Sequence, residues 1–141
     1  DPAVPAHNNY WAGWDRRSAA PTCSAPASAD STNGLCASIH HPNGDEKRIT
    51  FSEQNMFEAD YRDDGGGAAN DVHWQVQWDS TPPILPNITG TGALPPSVTE
   101  PGSSGSPLYN PNHRLVGVLS GGASSCGVPV GSLNDQYGKL A

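Results

Sequence analysis

The clearest alternation of apolar and polar positions lies in VHWQVQW, residues 72–78. Apolar residues occupy every second position from Val72 to Trp78, and His73 and two glutamines lie between them. Successive side chains of a β-strand point to opposite faces of a sheet. The alternation therefore predicts a strand with one buried face and one wetter face.

Two other stretches have the pattern of β-hairpins. LCASIHH (35–41) and KRITFSE (47–53) flank PNGD, whose Asn-Gly pair is typical of a tight turn between antiparallel strands. SPLYN and RLVGVLSGG flank a turn at Pro111-Asn112, which predicts a second hairpin over 106–122. Short strands separated by such turns indicate an all-β fold.

Composition supports this fold class. The 141 residues include 16 Gly and 14 Pro, which disfavour long helices. At this length we expect one domain over residues 1–141 that begins with a loose N-terminal segment, 1–9. Residues 79–98 hold five prolines and no hydrophobic period, so we expect a Pro-rich surface loop there, either a lid or a decoration.

Charge excludes several classes of partner. The formal net charge is −7 without a strong basic cluster, whereas binding to nucleic acid or an anionic membrane needs a concentrated positive face. No apolar run approaches the roughly 20 residues of a membrane span. The histidines lack ligand spacing with acids or thiols, so we expect neither a metal nor another cofactor.

The three cysteines divide into a pair and one left over. Cys23 and Cys36 flank a twelve-residue flexible loop, and this spacing suggests a mutual disulfide. Closing such a loop stabilises a fold by roughly 3 kcal/mol on the loop-entropy model. Cys126 is then either a free thiol or half of a bridge to a partner.

The segment TEPGSSGSPLYN (99–110) carries the candidate chemistry. Serine acyl-transfer enzymes need a hydroxyl on a tight turn whose neighbouring N–H groups face the developing oxyanion. Gly102 permits a positive φ and a close approach to substrate, and Pro107 fixes the exit of the chain. Taken alone, the string fits a plain Gly/Ser turn before a strand equally well.

Six blocks of the chain occur in an order shared with one family: YWAGWDRR (10–17), SIHHPNGDEKRIT (38–50), GGGAANDVHWQVQW (65–78), VTEPGSSGSPLYN (98–110), RLVGVLSGGASSC (114–126) and NDQYGK (134–139). As a set they resemble the C-terminal part of the bacterial lysyl endopeptidases, which are secreted trypsin-like serine proteases. The resemblance implies two six-stranded antiparallel β-barrels with the active site between them. This chain would supply mainly the second barrel of a secreted, extracellular protein.

The resemblance also implies roles for individual residues. Ser104 matches the nucleophile, and the backbone N–H groups of Gly102 and Ser104 match the oxyanion hole. Asp135 matches the carboxylate at the base of the pocket for the substrate lysine, with arginine as the alternative; without the match it reads as a turn residue. A buried carboxylate pairs with a cation and binds an uncharged side chain poorly. The strand edge along which the substrate backbone lies is matched by Leu119, Ser120 and Gly121.

The chain departs from the family in two ways. Where the family commonly has a tryptophan and a histidine whose rings cover the active site, this chain has Asp64 and Ser120. The catalytic histidine and aspartate of the family lie upstream of anything that matches YWAGWDRR. We interpret His40 and His41 as a structural strand end, and the remaining histidines are poor candidates for the base: His7, His73 and His113.

A serine without its base is a weak nucleophile, so we expect this chain alone to be nearly inactive. We expect two partners, a polypeptide substrate and the N-terminal half of the same protease. Barrel contacts and, as in the family, a disulfide from Cys126 would join the N-terminal half to this chain. A catalytically inactive module that binds basic peptides is the alternative function, supported by Asp64 and Ser120. An unrelated secreted β-sandwich is a third interpretation.

Overall fold

The computed structural model describes residues 11–24, 34–61, 72–79 and 98–140, and this part of the chain is all-β. The expected N-terminal segment 1–9 and residues 80–97 of the expected loop lie outside these ranges. Among the described residues, no helix is long and apolar enough to cross a membrane. In chain order the strands are β1 (Cys36–His40), β2 (Arg48–Ser52), β3 (Phe57–Ala59), β4 (His73–Gln77), β5 (Pro107–Tyr109), β6 (Leu115–Gly122) and β7 (Asn134–Lys139).

Both predicted hairpins are present. β1 pairs antiparallel with β2 from Cys36↔Ser52 to His40↔Arg48. Asn43 and Gly44 in the connecting turn have φ values of 53° and 74°, a left-handed conformation that explains the Asn-Gly pair. β5 pairs with β6 across a turn in which Asn110 Oδ1 accepts the N–H groups of two later turn residues, each at 3.0 Å.

The strands form one antiparallel sheet in the order β2-β1-β5-β6-β7-β4-β3. No strand ladder closes this sheet among the described residues. The two sides nevertheless meet just beyond β4, where Asp79 N–H donates to Phe51 O at 3.0 Å and Glu53 N–H donates to Asp79 Oδ2 at 2.8 Å. The curled sheet is consistent with a trypsin-like β-barrel.

The core lies inside this curl. The alternation predicted for residues 72–78 is confirmed, since Trp74, Val76 and Trp78 are buried, whereas Val72 precedes β4 and is half exposed. Trp78 packs edge-on against Tyr137 of β7 with ring centroids 6.0 Å apart. Val98, the last residue of the expected surface loop, is also buried in this core.

Candidate active site

The turn that carries Ser104 connects residues 99–101 to β5. Ser104 is exposed, whereas Ser103 is 1% exposed and points its side chain inward. Gly102 has a φ of +100°, and a Cβ there would lie 3.2 Å from both Gly44 N and His41 O. The predicted need for glycine is therefore confirmed twice, by a conformation that L side chains rarely adopt and by close contact with the β1–β2 turn.

Backbone N–H groups in this turn alternate between used and unused. Ser103 N–H donates to Glu100 O at 2.9 Å, and Gly105 N–H donates to Leu119 O at 2.9 Å. Within the described part of the chain, the N–H groups of Gly102 and Ser104 donate no hydrogen bond. The two N–H groups expected to form the oxyanion hole are thus available, and they lie on either side of an inward-pointing serine.

Ser103 is anchored in the interior. Its Oγ lies 3.0 Å from Nδ1 of His40, a residue only 1% exposed at the end of β1. The same Oγ accepts the N–H of Glu100 at 3.3 Å. Burial lowers the pKa of His40, the nearby charge of Asp135 opposing this, so the neutral imidazole is favoured. The sequence analysis identified His40 only as a strand end and missed this contact.

Asp135 of β7 is not a turn residue but a buried carboxylate, 2% exposed. Trp78 Nε1 donates to its Oδ2 at 2.6 Å, and the Thr99 hydroxyl donates to the same oxygen. A Cβ at Gly122 would overlap Oδ1. One oxygen is therefore held by the core, while the other lies against bare backbone at the end of β6.

The predicted substrate edge on β6 begins at Leu119, whose backbone is hydrogen-bonded to the loop after Ser104. β5 pairs with β6 as far as Val118, and the loop after Ser104 continues the pairing, with Leu119 N–H donating to Ser106 O at 2.9 Å and Leu119 O accepting Gly105 N–H. Both backbone groups of Leu119 are thus used. Ser120 and Gly121 follow on β6, and Gly121 pairs with Gln136 of β7.

An aromatic pair lies against this edge. His73 Nε2 is 3.0 Å from Ser120 Oγ, and the Tyr61 ring stacks on His73 with centroids 5.5 Å apart. A Cβ at Gly121 would lie 3.0 Å from the Tyr61 hydroxyl oxygen. Asp64, the other position at which the chain departs from the family pattern, lies outside the described residues.

Comparison with known families identifies the family of the chain. A family model described as "Lysyl endopeptidase, C-terminal domain" matches residues 1–138. The chain belongs to this family. The identification from the six blocks is confirmed, and the family name sets the site in the context of a protease.

The cysteines of this lysyl endopeptidase C-terminal domain form one internal bridge. Cys23 and Cys36 are joined by a disulfide with a Cα–Cα distance of 5.4 Å, and both residues are buried. Cys126 is a free, exposed cysteine. Its backbone N–H donates to Glu100 Oε1 at 3.0 Å, and the hydrogen bond of its thiol with Glu100 raises the thiol pKa.

No described histidine of the lysyl endopeptidase C-terminal domain forms a hydrogen bond with Ser104. His41 Nδ1 lies 3.2 Å from Asp45 O, and His113 occupies the β5–β6 turn with a φ of +58°. His40 and His73 contact Ser103 and Ser120 instead. The described residues therefore include an exposed serine on a turn, two N–H groups without an acceptor and a buried carboxylate.

A separate cavity of about 320 Å³ lies between residues 15–22 and the β5–β6 turn of the lysyl endopeptidase C-terminal domain. Its polar lining includes Asp15, Arg17 and Asn110, and Asn110 Nδ2 donates to Asp15 Oδ2 at 3.1 Å. None of the candidate site residues lines this cavity. The cavity lies where the N-terminal arm, residues 11–22, packs against the sheet.

Proposed function

We propose that the chain is the C-terminal lobe of a serine endopeptidase that cleaves polypeptides after lysine, with arginine as the alternative. Ser104 is the nucleophile, and the N–H groups of Gly102 and Ser104 form the oxyanion hole. Asp135 lies at the base of the specificity pocket. The histidine and aspartate that complete the triad belong to an N-terminal portion of the same protease, which is the expected partner.

The observation that carries this proposal is the arrangement of the turn around Ser104. The exposed hydroxyl of Ser104 lies on a turn in which the N–H groups of Gly102 and Ser104 have no acceptor among the described residues, although the neighbouring N–H groups of Ser103 and Gly105 are hydrogen-bonded. Donors fixed before the reaction are what an oxyanion hole requires, and removing one typically costs about 10²–10³ in kcat.

These residues account for the steps of an acyl-enzyme reaction. The Ser104 hydroxyl attacks the scissile carbonyl and passes its proton to the histidine of the N-terminal portion. The carbonyl oxygen becomes an oxyanion, to which the Gly102 and Ser104 N–H groups donate. The amine leaves with that proton, and water then hydrolyses the ester on Ser104 by the same sequence of steps.

The proposed lysine specificity is supported by the surroundings of Asp135. Trp78 and Thr99 satisfy Oδ2, whereas Oδ1 lies against the bare backbone of Gly122. A substrate ammonium would pair with the buried carboxylate, whereas an uncharged side chain would leave it desolvated and unpaired.

Exposed groups on the chain support the proposed N-terminal partner. Trp11 and Trp14 on the N-terminal arm are 77% and 66% exposed, which is unusual for such large apolar side chains. The exposed thiol of Cys126 is available for the proposed disulfide to the N-terminal portion. Such a bridge agrees with a secreted, extracellular protein, since disulfides persist in oxidising compartments.

The alternative function is an inactive protease-like module that captures basic peptides. It is favoured by the fact that no described histidine contacts Ser104, and it would keep Asp135 as the binding group. This alternative predicts binding of lysine peptides without covalent reaction.

Labelling of the complete protease with a fluorophosphonate probe tests the proposal. We expect one labelled serine, loss of the label in Ser104→Ala, and full labelling in the control Ser125→Ala. The unmodified protease should cleave after lysine, and Asp135→Asn should lose that cleavage while the control Asp45→Asn keeps it. If the complete assembly binds lysine peptides but is never labelled, the inactive module is the correct function.

A further inference from the structure

We propose that His40 is a positioning residue of the peptidase reaction: through Ser103 it fixes the turn whose N–H groups receive the oxyanion. This inference rests on the proposed function and adds a residue to it. His40 does not contact Ser104, so it acts through its neighbour in the turn.

Among the described residues, the hydrogen bonds that hold the middle of the turn all involve the side chain or backbone of Ser103. At one end Asn43 N–H donates to Pro101 O at 2.7 Å, and at the other Gly105 N–H donates to Leu119 O. Between these anchors the exposed residues Gly102 and Ser104 make no hydrogen bond with another described residue. Rotation of the peptide units on either side of Ser103 would turn both N–H groups away from a shared acceptor.

The contacts of Ser103 Oγ indicate which atom accepts its hydroxyl proton. Ser103 Oγ accepts the Glu100 N–H, and a hydroxyl has a single proton to donate. His40 Nδ1, 3.0 Å away, is the acceptor for that proton among the described residues. On this assignment His40 is a neutral imidazole, the charge state that its burial favours, and its own proton lies on Nε2, a buried nitrogen without a hydrogen-bond partner among the described residues.

His40 itself is fixed by the sheet. It lies at the last position of β1, opposite Arg48, and is 1% exposed. A side chain on a strand buried this deeply has little rotational freedom. This buried hydrogen bond therefore fixes the middle of the turn to the β1–β2 hairpin, in addition to the bond between Asn43 N–H and Pro101 O at the start of the turn. A shift of about 1 Å in the position of a catalytic group can cost about 10² in rate.

Two substitutions of His40 distinguish a role in positioning the turn from a role in core packing. His40→Asn places a side-chain acceptor close to the position of Nδ1, whereas His40→Leu has similar bulk and no acceptor. The complete protease is used, and two quantities are measured: the rate constant for acylation by a fluorophosphonate, and the Kd of butylammonium as a ligand for the lysine pocket. His113→Asn, in an exposed turn with a positive φ that asparagine tolerates, is the control.

We expect His40→Leu to lower the acylation rate constant about 10- to 100-fold with the Kd of butylammonium unchanged. His40→Asn should recover most of this loss, and His113→Asn should show none. Acylation at the unmodified rate in a folded His40→Leu protein, or equal losses in His40→Asn and His40→Leu, would overturn the inference. If His40→Leu fails to fold, Ser103→Ala provides the same comparison from the other side of the bond.

A ¹⁵N NMR measurement tests the contact without using activity. In the complete protease His40 Nδ1 should be unprotonated and should shift in Ser103→Ala; a proton on Nδ1 overturns the inference. Failure of the proposed function has a different signature, because the unmodified protease would then not be labelled at all, whatever the state of His40.

Discussion

Gly102→Ala combines two costs that the structure allows to be separated. The φ of +100° is strained for any L residue, which costs about 1–3 kcal/mol. The added methyl would also lie 3.2 Å from Gly44 N and from His41 O, and backbone atoms give way less easily than side chains. Crowding of this kind adds about 1–3 kcal/mol, so the expected total loss of unfolding free energy is about 2–6 kcal/mol.

Gly105→Ala is the matched control. It lies in the same turn with a φ of +83°, but a Cβ there would have nothing within 4 Å. It should therefore show the strain without the crowding. Urea unfolding of both variants in the complete protease, followed by fluorophosphonate labelling, measures stability and function together.

We expect Gly102→Ala to be the less stable variant by about 1–3 kcal/mol and to label far more slowly than Gly105→Ala. Equal stabilities would show that the β1–β2 turn does not lie against Gly102. Equal labelling rates would refute the role of the Gly102 N–H, since displacing an oxyanion-hole donor must slow acylation.

Three further outcomes are expected. Gly122→Ala should weaken binding of butylammonium, measured by calorimetry, because its methyl would displace the pocket carboxylate; unchanged affinity would contradict the placement of the pocket. Burial and the neighbouring Glu53 raise the pKa of Asp79 from 3.8 to about 6, so the folded state holds its proton more tightly than the unfolded chain, and this contribution to stability is full below about pH 4 and lost as the pH rises through about 6. The free energy of unfolding of Asp79→Asn, measured in urea titrations, should therefore rise relative to that of the unmodified protein as the pH increases from 4 to 8. The free energy of unfolding of Asp45→Asn should not. Replacing the Cys23–Cys36 bridge by two serines should cost about 3 kcal/mol in urea unfolding under oxidising conditions, and no loss would contradict the loop-entropy account.

Local sequence patterns predicted the sheet well because strand periodicity and turn type depend on residues that are close together in the sequence. The alternation around Trp74 and the Asn43-Gly44 turn each specify structure within a few positions. β3 was not predicted: it is three residues long, and two of them are exposed, so it carries no alternation to detect. It forms because Phe57, Glu58 and Ala59 pair with β4.

The contacts of the candidate site were harder to predict because they join residues far apart in sequence. His40 and Ser103 are 63 positions apart, and Trp78 and Asp135 are 57 apart. Hydropathy is also misleading in β1, where Ile39 is 40% exposed and His40 is 1% exposed. Hydropathy alone predicts that the isoleucine is buried, whereas the buried side chain is that of the histidine.

This inversion has a physical reason in the interior that β1 faces. Ser38 Oγ donates to Pro107 O at 2.8 Å and lies 3.3 Å from Ser106 Oγ, while His40 further along the same strand contacts Ser103. An isoleucine facing these groups would leave buried hydroxyls without partners, which costs about 1–3 kcal/mol for each unsatisfied group.

The polar face of β1 and the serines of the turn therefore depend on each other, because replacing one of them by an apolar residue leaves the other without its partner and costs stability. A turn that were merely a connection could be packed with apolar side chains at lower cost. A satisfied network of buried polar groups favours one conformation of the turn that carries Ser104. This is useful where the exposed N–H groups of the turn must keep one orientation without hydrogen bonds of their own. The same interior thus links the exposed serine, which does the proposed chemistry, to the strand that holds it in place.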